Sequence, residues 1–191
     1  MAHYPTIPLI DSLIATLQEQ LKTLDTLEAM EPEKLHTRPD PHRWSVAEVV
    51  EHMVLTSGHY LKELQKIYQD PGSRLRWSES FRPGYFGEMG VHAMRPGEHG
   101  KISWKMKTLG IFEPRSNGEV LEPLQRFRHV LEGFIELLGI ARTRGLEGRK
   151  VVSTLGPILR FKAGDAFRFP IAHQERHFLQ IQRTLEQLKD Q

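Results

Sequence analysis

His173 and His177 stand four residues apart in His173-Gln-Glu-Arg-His177, the spacing that places two side chains one above the other on a single helix face. Two imidazoles so arranged can share one ion. A third nitrogen is available from His52, which closes the stretch Trp44-Ser-Val-Ala-Glu-Val-Val-Glu-His52, provided that a neighbouring helix carries it to the same point. Three histidines would cap a divalent metal and leave at least one coordination position for water or substrate. With 10 histidines in the chain, one such pair is ordinary by chance, so the elements that must bring the three together carry the argument.

A metal bound by three neutral imidazoles keeps its positive charge. A thiol or water beside it therefore loses its proton more readily, a zinc-bound water reaching a pKa of about 7. That chemistry serves the transfer of a thiol to an electrophile, or hydrolysis at a carbonyl or similar centre. Zinc, nickel, iron and copper all accept such ligands, so the donor set leaves the metal open. Glu48 lies one turn before His52 and is a candidate to orient it as a supporting carboxylate, although a capping role accounts for it equally. His59 follows His52 by seven residues, roughly 10 Å along a helix, and is either a residue of the pocket mouth or a structural histidine. Glu175 falls about 100–200° around the helix from both its neighbouring histidines and faces solvent.

Four segments have the periodicity of helices. From Ile7 to about Met30, the residues Ile10, Leu13, Ile14, Leu17, Leu21, Leu24 and Leu27 recur at three- and four-residue steps, one wide apolar stripe. Pro32 helps to end it, and the prolines of Arg38-Pro-Asp-Pro-His-Arg43 keep that run extended or turned. The second helix has a capping box in Ser45 and Glu48, with Trp44 and Val49 placed as a hydrophobic staple. Its inward stripe is Val49, Met53, Thr56, Tyr60, Leu64 and Ile67, with His52 at the edge, and Pro71-Gly72 closes it. A third helix is expected from Leu121 to Leu138, with Pro123 in its first turn and its end bracketed by Gly139 and Gly145. The basic stretch that follows, with Arg142, Arg144, Arg149 and Lys150, reads as a solvated loop with a turn at Gly156-Pro157. The fourth helix is expected from about Phe169 to Leu188, with Pro170 in its first turn.

Between the second and third helices, residues 71–118 are rich in Gly and Pro yet contain Trp77, Phe81, Tyr85, Phe86 and Trp104. Those aromatics argue for short helices and turns packed across one end of the helices, as a lid or a dimer contact. Four long amphipathic helices without convincing strand partners predict an all-α bundle forming one domain over residues 1–191. Absence of cysteine excludes disulfides, thiolate ligands and a cysteine nucleophile. A net charge of +2 is too small a bias to imply nucleic acid or an anionic membrane. With no signal-like N-terminus and no apolar run of about 18 residues, a cytoplasmic location is the expectation.

On Trp44-Ser45 followed by His52, and His173-x-x-x-His177 followed by Gln180-Ile181, the chain resembles the DinB-like superfamily. The resemblance covers most of the length but offers nothing specific for residues 71–118. It implies a four-helix bundle with long crossover connections, often dimeric, and a divalent metal (Zn, Ni or Fe) held by His52, His173 and His177. Some relatives are thiol S-transferases and others thiol-dependent isomerases. The expected partners are therefore a small-molecule substrate and a low-molecular-weight thiol, with a second copy as homodimer partner and no nucleic acid or membrane. The alternative is a non-catalytic metal-binding bundle with a stress-related or partner-binding role.

Overall fold

A computed structural model describes residues 2–102, 108–115 and 121–189. Helix α1 spans Thr6–Glu28. Its Pro8 lies in the first turn, where a missing amide hydrogen is tolerated, and Ile10, Leu13, Leu17, Leu24 and Leu27 are buried. The same face buries Gln20, which breaks the apolar pattern. After a five-residue helix α2 (Pro32–His36) and turns through the proline run, α3 covers Val46–Gln69. The expected start is present. The Ser45 hydroxyl accepts the Glu48 N–H at 3.3 Å and the Ser45 N–H donates to Glu48 Oε2 at 2.9 Å. Every residue of the expected inward stripe of this helix is buried.

The aromatic insert contains elements of its own. Strand β1 (Tyr4–Pro5) pairs antiparallel with β2 (Ser80–Phe81), and α4 (Tyr85–Met94) and two single 3-10 turns, Glu98–Gly100 and Gly110–Phe112, follow. Phe81 is fully buried, whereas Trp77, Tyr85 and Phe86 are exposed; Trp104 lies outside the described residues.

Three expectations need correction beyond this point. Helix α5 runs Leu121–Arg144, six residues past Leu138. Gly139 costs about 1 kcal/mol inside a helix, but burial of Ala141 on the next turn keeps the helix intact. It stops at Gly145, whose φ of +82° suits a left-handed cap and whose Cβ, if present, would lie 2.2 Å from the Arg76 carbonyl oxygen. The segment read as a solvated basic loop then forms a hairpin of β3 (Lys150–Ser153) and β4 (Gly156–Lys162). Val151 pairs with Phe161 and both are buried, while Lys150 and Arg160 face outward. This alternation is too short to stand out among the charges around it. Helix α6 covers Ala163–Lys189, so Pro170 is interior and not in the first turn. Its missing amide leaves the Ala166 carbonyl without its helical partner; the buried Ala163, Ala166 and Phe167 extend the helix backwards regardless.

Helices α5 and α6 each pack against both α1 and α3, giving the order α1–α5–α3–α6 around an all-α four-helix bundle. Helices α1 and α3 are thus diagonal, as are α5 and α6, and the α2 segment and the β3–β4 hairpin cross between the members of the two pairs, whereas α3 and α5 are neighbours. Phe127, Leu131, Phe134 and Phe167 fill the centre. Helix α4 and the hairpin cover α6 on one side. Among the described residues no helix is long and apolar enough to cross a membrane.

Candidate metal centre

Adjacency of α3 and α6 brings the three histidines together. Their rings lie 4.8 Å (His52 to His177), 5.2 Å (His52 to His173) and 4.4 Å (His173 to His177) apart, all edge to face. One ring nitrogen from each falls within 4.8 Å of the others, so the cluster could hold a metal ion. His52 and His177 are 5% and 7% exposed; His173 is half-buried and stacks on Phe169.

Hydrogen bonds decide which nitrogens converge. His52 Nδ1 lies 2.8 Å from the Phe112 carbonyl and His177 Nδ1 lies 2.9 Å from Gln180 Oε1. Both partners only accept, so each Nδ1 carries the hydrogen and each Nε2 presents a lone pair. His173 Nε2 and His177 Nε2 are 3.0 Å apart. Two nitrogens of a tetrahedral site with bonds of about 2.0–2.1 Å would be roughly 3.3 Å apart, and a cation held there would take the place of the proton that must otherwise lie between them. Burial pushes His177 down to about 3, aided by His52 and opposed by the Gln180 bond. Burial likewise lowers His52 and, with His177 and His52 adjacent, holds His173 well below the usual histidine value. All three are neutral at pH 7, and the donor set fits a borderline divalent ion.

A cavity of about 110 Å³ opens beside the cluster. Its walls are mostly apolar, with Met94 from α4, Leu109 and Phe112 from the insert, Leu155 from the hairpin turn, and Phe169 and Pro170 from α6. Tyr60 and His59 hold the hairpin in place. The Tyr60 hydroxyl accepts the Thr154 N–H at 3.0 Å and lies 3.0 Å from both Ser153 Oγ and Thr154 Oγ1. Burial raises its pKa, so Tyr60 is a neutral anchor and not a base. His59 Nε2 donates to the Val152 carbonyl at 2.9 Å and is absent from the cavity lining, which is its structural role.

Glu48 is likewise occupied elsewhere: its carboxylate takes the Ser45 N–H and a two-pronged bond from Arg38. The residue that orients His52 is Phe112, through its carbonyl. Nothing in the sequence marks it, since any residue supplies a carbonyl and the contact crosses 60 positions. Gln180 was legible in principle, lying three residues after His177 on the same face. Trp44 has its ring 5.1 Å from that of His52 and packs partly buried against the core. Glu175 is half-buried and paired at 3.8 Å with Arg95.

A family model described as the DinB superfamily matches residues 15–181, a span that includes all three histidines. No curated protein and no solved structure matches the chain.

Proposed function

The chain belongs to the DinB superfamily, and from that premise we propose that His52, His173 and His177 hold a divalent metal ion (Zn, Ni or Fe) in an enzyme that transfers a low-molecular-weight thiol to an electrophilic small molecule. The observation that carries this reading is the convergence of three ring nitrogens, those of His52 and His177 with their tautomer set by hydrogen bonds, beside a cavity. A divalent ion held by these three residues would supply a positive charge that makes a thiol or water beside it more acidic.

The protein's own groups do the rest. The Phe112 carbonyl and Gln180 fix the ring orientations. Apolar walls from the insert and hairpin keep water from the reacting atoms and strengthen electrostatic interactions there. Thr56 Oγ1 donates to the His52 carbonyl at 2.8 Å, which commits its hydrogen to the helix. Among the described residues the lining contains no Asp or Glu, which favours activation by the ion itself. Hydrolysis at the same site is the neighbouring reaction, and a non-catalytic metal-binding bundle is the second reading. Among the described residues no fourth His, Asp or Glu joins the cluster, which supports an open position and hence the enzyme.

The test is metal content of protein purified without a nickel column, for wild type, His52→Ala and His173→Ala, with folding followed by circular dichroism. Near-stoichiometric metal lost in both folded variants is the expected result, and turnover of thiols with electrophiles should then depend on that metal. Wild-type protein that carries none and takes up none on addition refutes the proposal.

A further inference from the structure

The 3-10 turn Gly110–Phe112 supplies the carbonyl to which His52 Nδ1 donates at 2.8 Å. Thr108, Leu109 and Phe112, in and beside this turn, line the cavity together with the three histidines. None of the turn's residues is buried, and Ile111 and Leu109 are 77% and 50% exposed. Its own bonds are short-range: the Phe112 N–H donates to the Leu109 carbonyl at 2.8 Å, and the Glu113 N–H to the Gly110 carbonyl at 3.3 Å. A turn that buries so little apolar surface opens locally at small cost, so the bond to His52 weighs heavily in keeping it closed. Of the other walls, Met94 and Phe169 are buried in the core and Tyr60 anchors the hairpin turn. The 3-10 turn is therefore the wall that moves.

The bond to the turn and the ligand role of His52 act on one ring. With the turn closed, the hydrogen stays on Nδ1 and Nε2 offers its lone pair. With the turn open, the ring can carry its hydrogen on Nε2, where it excludes a cation. In the other direction, an imidazole that gives its Nε2 lone pair to a cation becomes a stronger donor at Nδ1. Each event favours the other, and linkage makes the two effects equal in size. Resting on the metal reading above, we propose that the Gly110–Phe112 turn is the gate of the metal centre. It opens to pass the ion, and His52, once ligated, latches it shut and completes the cavity that receives the substrate.

Hydrogen exchange and zinc release test the gate without reference to turnover. Zinc loading should slow exchange of the Phe112 and Glu113 amides by about 10-fold or more, the worth of such a supporting bond. The Ser73 amide, bonded to the Asp70 carbonyl in a turn beyond the far end of α3, should be unchanged. Gly110→Ala adds a Cβ that meets no atom within 4 Å and restricts the open turn, whereas Pro114→Gly loosens it. Release of zinc to excess chelator should be about 2- to 5-fold slower in Gly110→Ala and faster by a similar factor in Pro114→Gly, with circular dichroism unchanged. Wild type that takes up no zinc sinks the three-histidine reading and this inference with it. Zinc uptake with exchange at Phe112 and Glu113 unaltered, or release no slower in Gly110→Ala and no faster in Pro114→Gly, overturns the gate alone.

Discussion

Replacing Gln180 by Met isolates one hydrogen bond of the candidate metal centre. The Gln180 Oε1 acceptor lies 2.9 Å from His177 Nδ1, and Met keeps the length of the side chain while removing the acceptor. His177 then loses the contact that keeps its hydrogen on Nδ1 and raises its basicity, and the ring is free to present N–H where a lone pair is needed. Supporting bonds of this kind are worth about 10- to 100-fold in metal affinity, or about 1.4–2.7 kcal/mol. Gln180 is half-buried, so the metal-free protein should lose only about 1 kcal/mol of stability. Gln180→Glu restores an acceptor, adds a negative charge near the ion, and should bind at least as tightly as wild type. Zinc and cobalt affinities from competition with a chromophoric chelator at neutral pH measure the effect, with urea unfolding of the metal-free proteins alongside. Affinity of folded Gln180→Met equal to that of wild type would show that this bond does not orient the ligand.

Tyr60→Phe removes the anchor of the hairpin turn. Because Ser153 Oγ keeps the Leu155 N–H at 3.1 Å, the loss should be about 1–2 kcal/mol, with faster amide exchange at Thr154 and no change in metal affinity; slowed or unaltered exchange there counts against the anchoring role. Gly87→Ala would put a Cβ 2.3–2.7 Å from the Asp165 side chain, which the Gly84 N–H and Arg168 hold in place, and should destabilise by at least about 1–3 kcal/mol. Gly58→Ala, in α3 with no atom within 4 Å of the new Cβ, should instead stabilise by up to about 1 kcal/mol, and urea titrations of the pair read the contrast. Burial, with Glu88 adding to it, raises the Asp165 carboxyl from 3.8 to about 6 against the bonds from Gly84 and Arg168. Between those values the folded state binds the extra proton, so this group's contribution to stability falls as pH rises, by about 3 kcal/mol in all. The lowered Glu48 and Glu88 act in the opposite direction. The wild-type stability measured relative to Asp165→Asn should therefore decline from pH 4 to pH 6, and a flat or rising difference contradicts the assignment.

The long helices and the histidine triplet were legible in the chain because both are written in local spacing. Apolar residues at three- and four-residue steps define α1 and the inward face of α3; Ser45 and Glu48 set the start of α3, and hence the angle of His52; and the four-residue interval sets His173 and His177 on one face of α6. Other features depend on residues far apart in sequence. Val151 and Phe161 form a hairpin because both find the core, which overrides the charges around them, and burial of Ala163 to Phe167 carries α6 back past a proline that local rules place at its start. Glu48 and His59 looked like site residues by spacing alone, yet Arg38 and Val152 claim them once the chain is folded. Conversely, the Phe112 carbonyl, the hairpin turn and the apolar wall enter the site from segments with no chemical signature. Side-chain periodicity reports which face of an element is buried; the partner that meets that face, and so the cavity between them, is decided by packing of elements the local pattern does not connect.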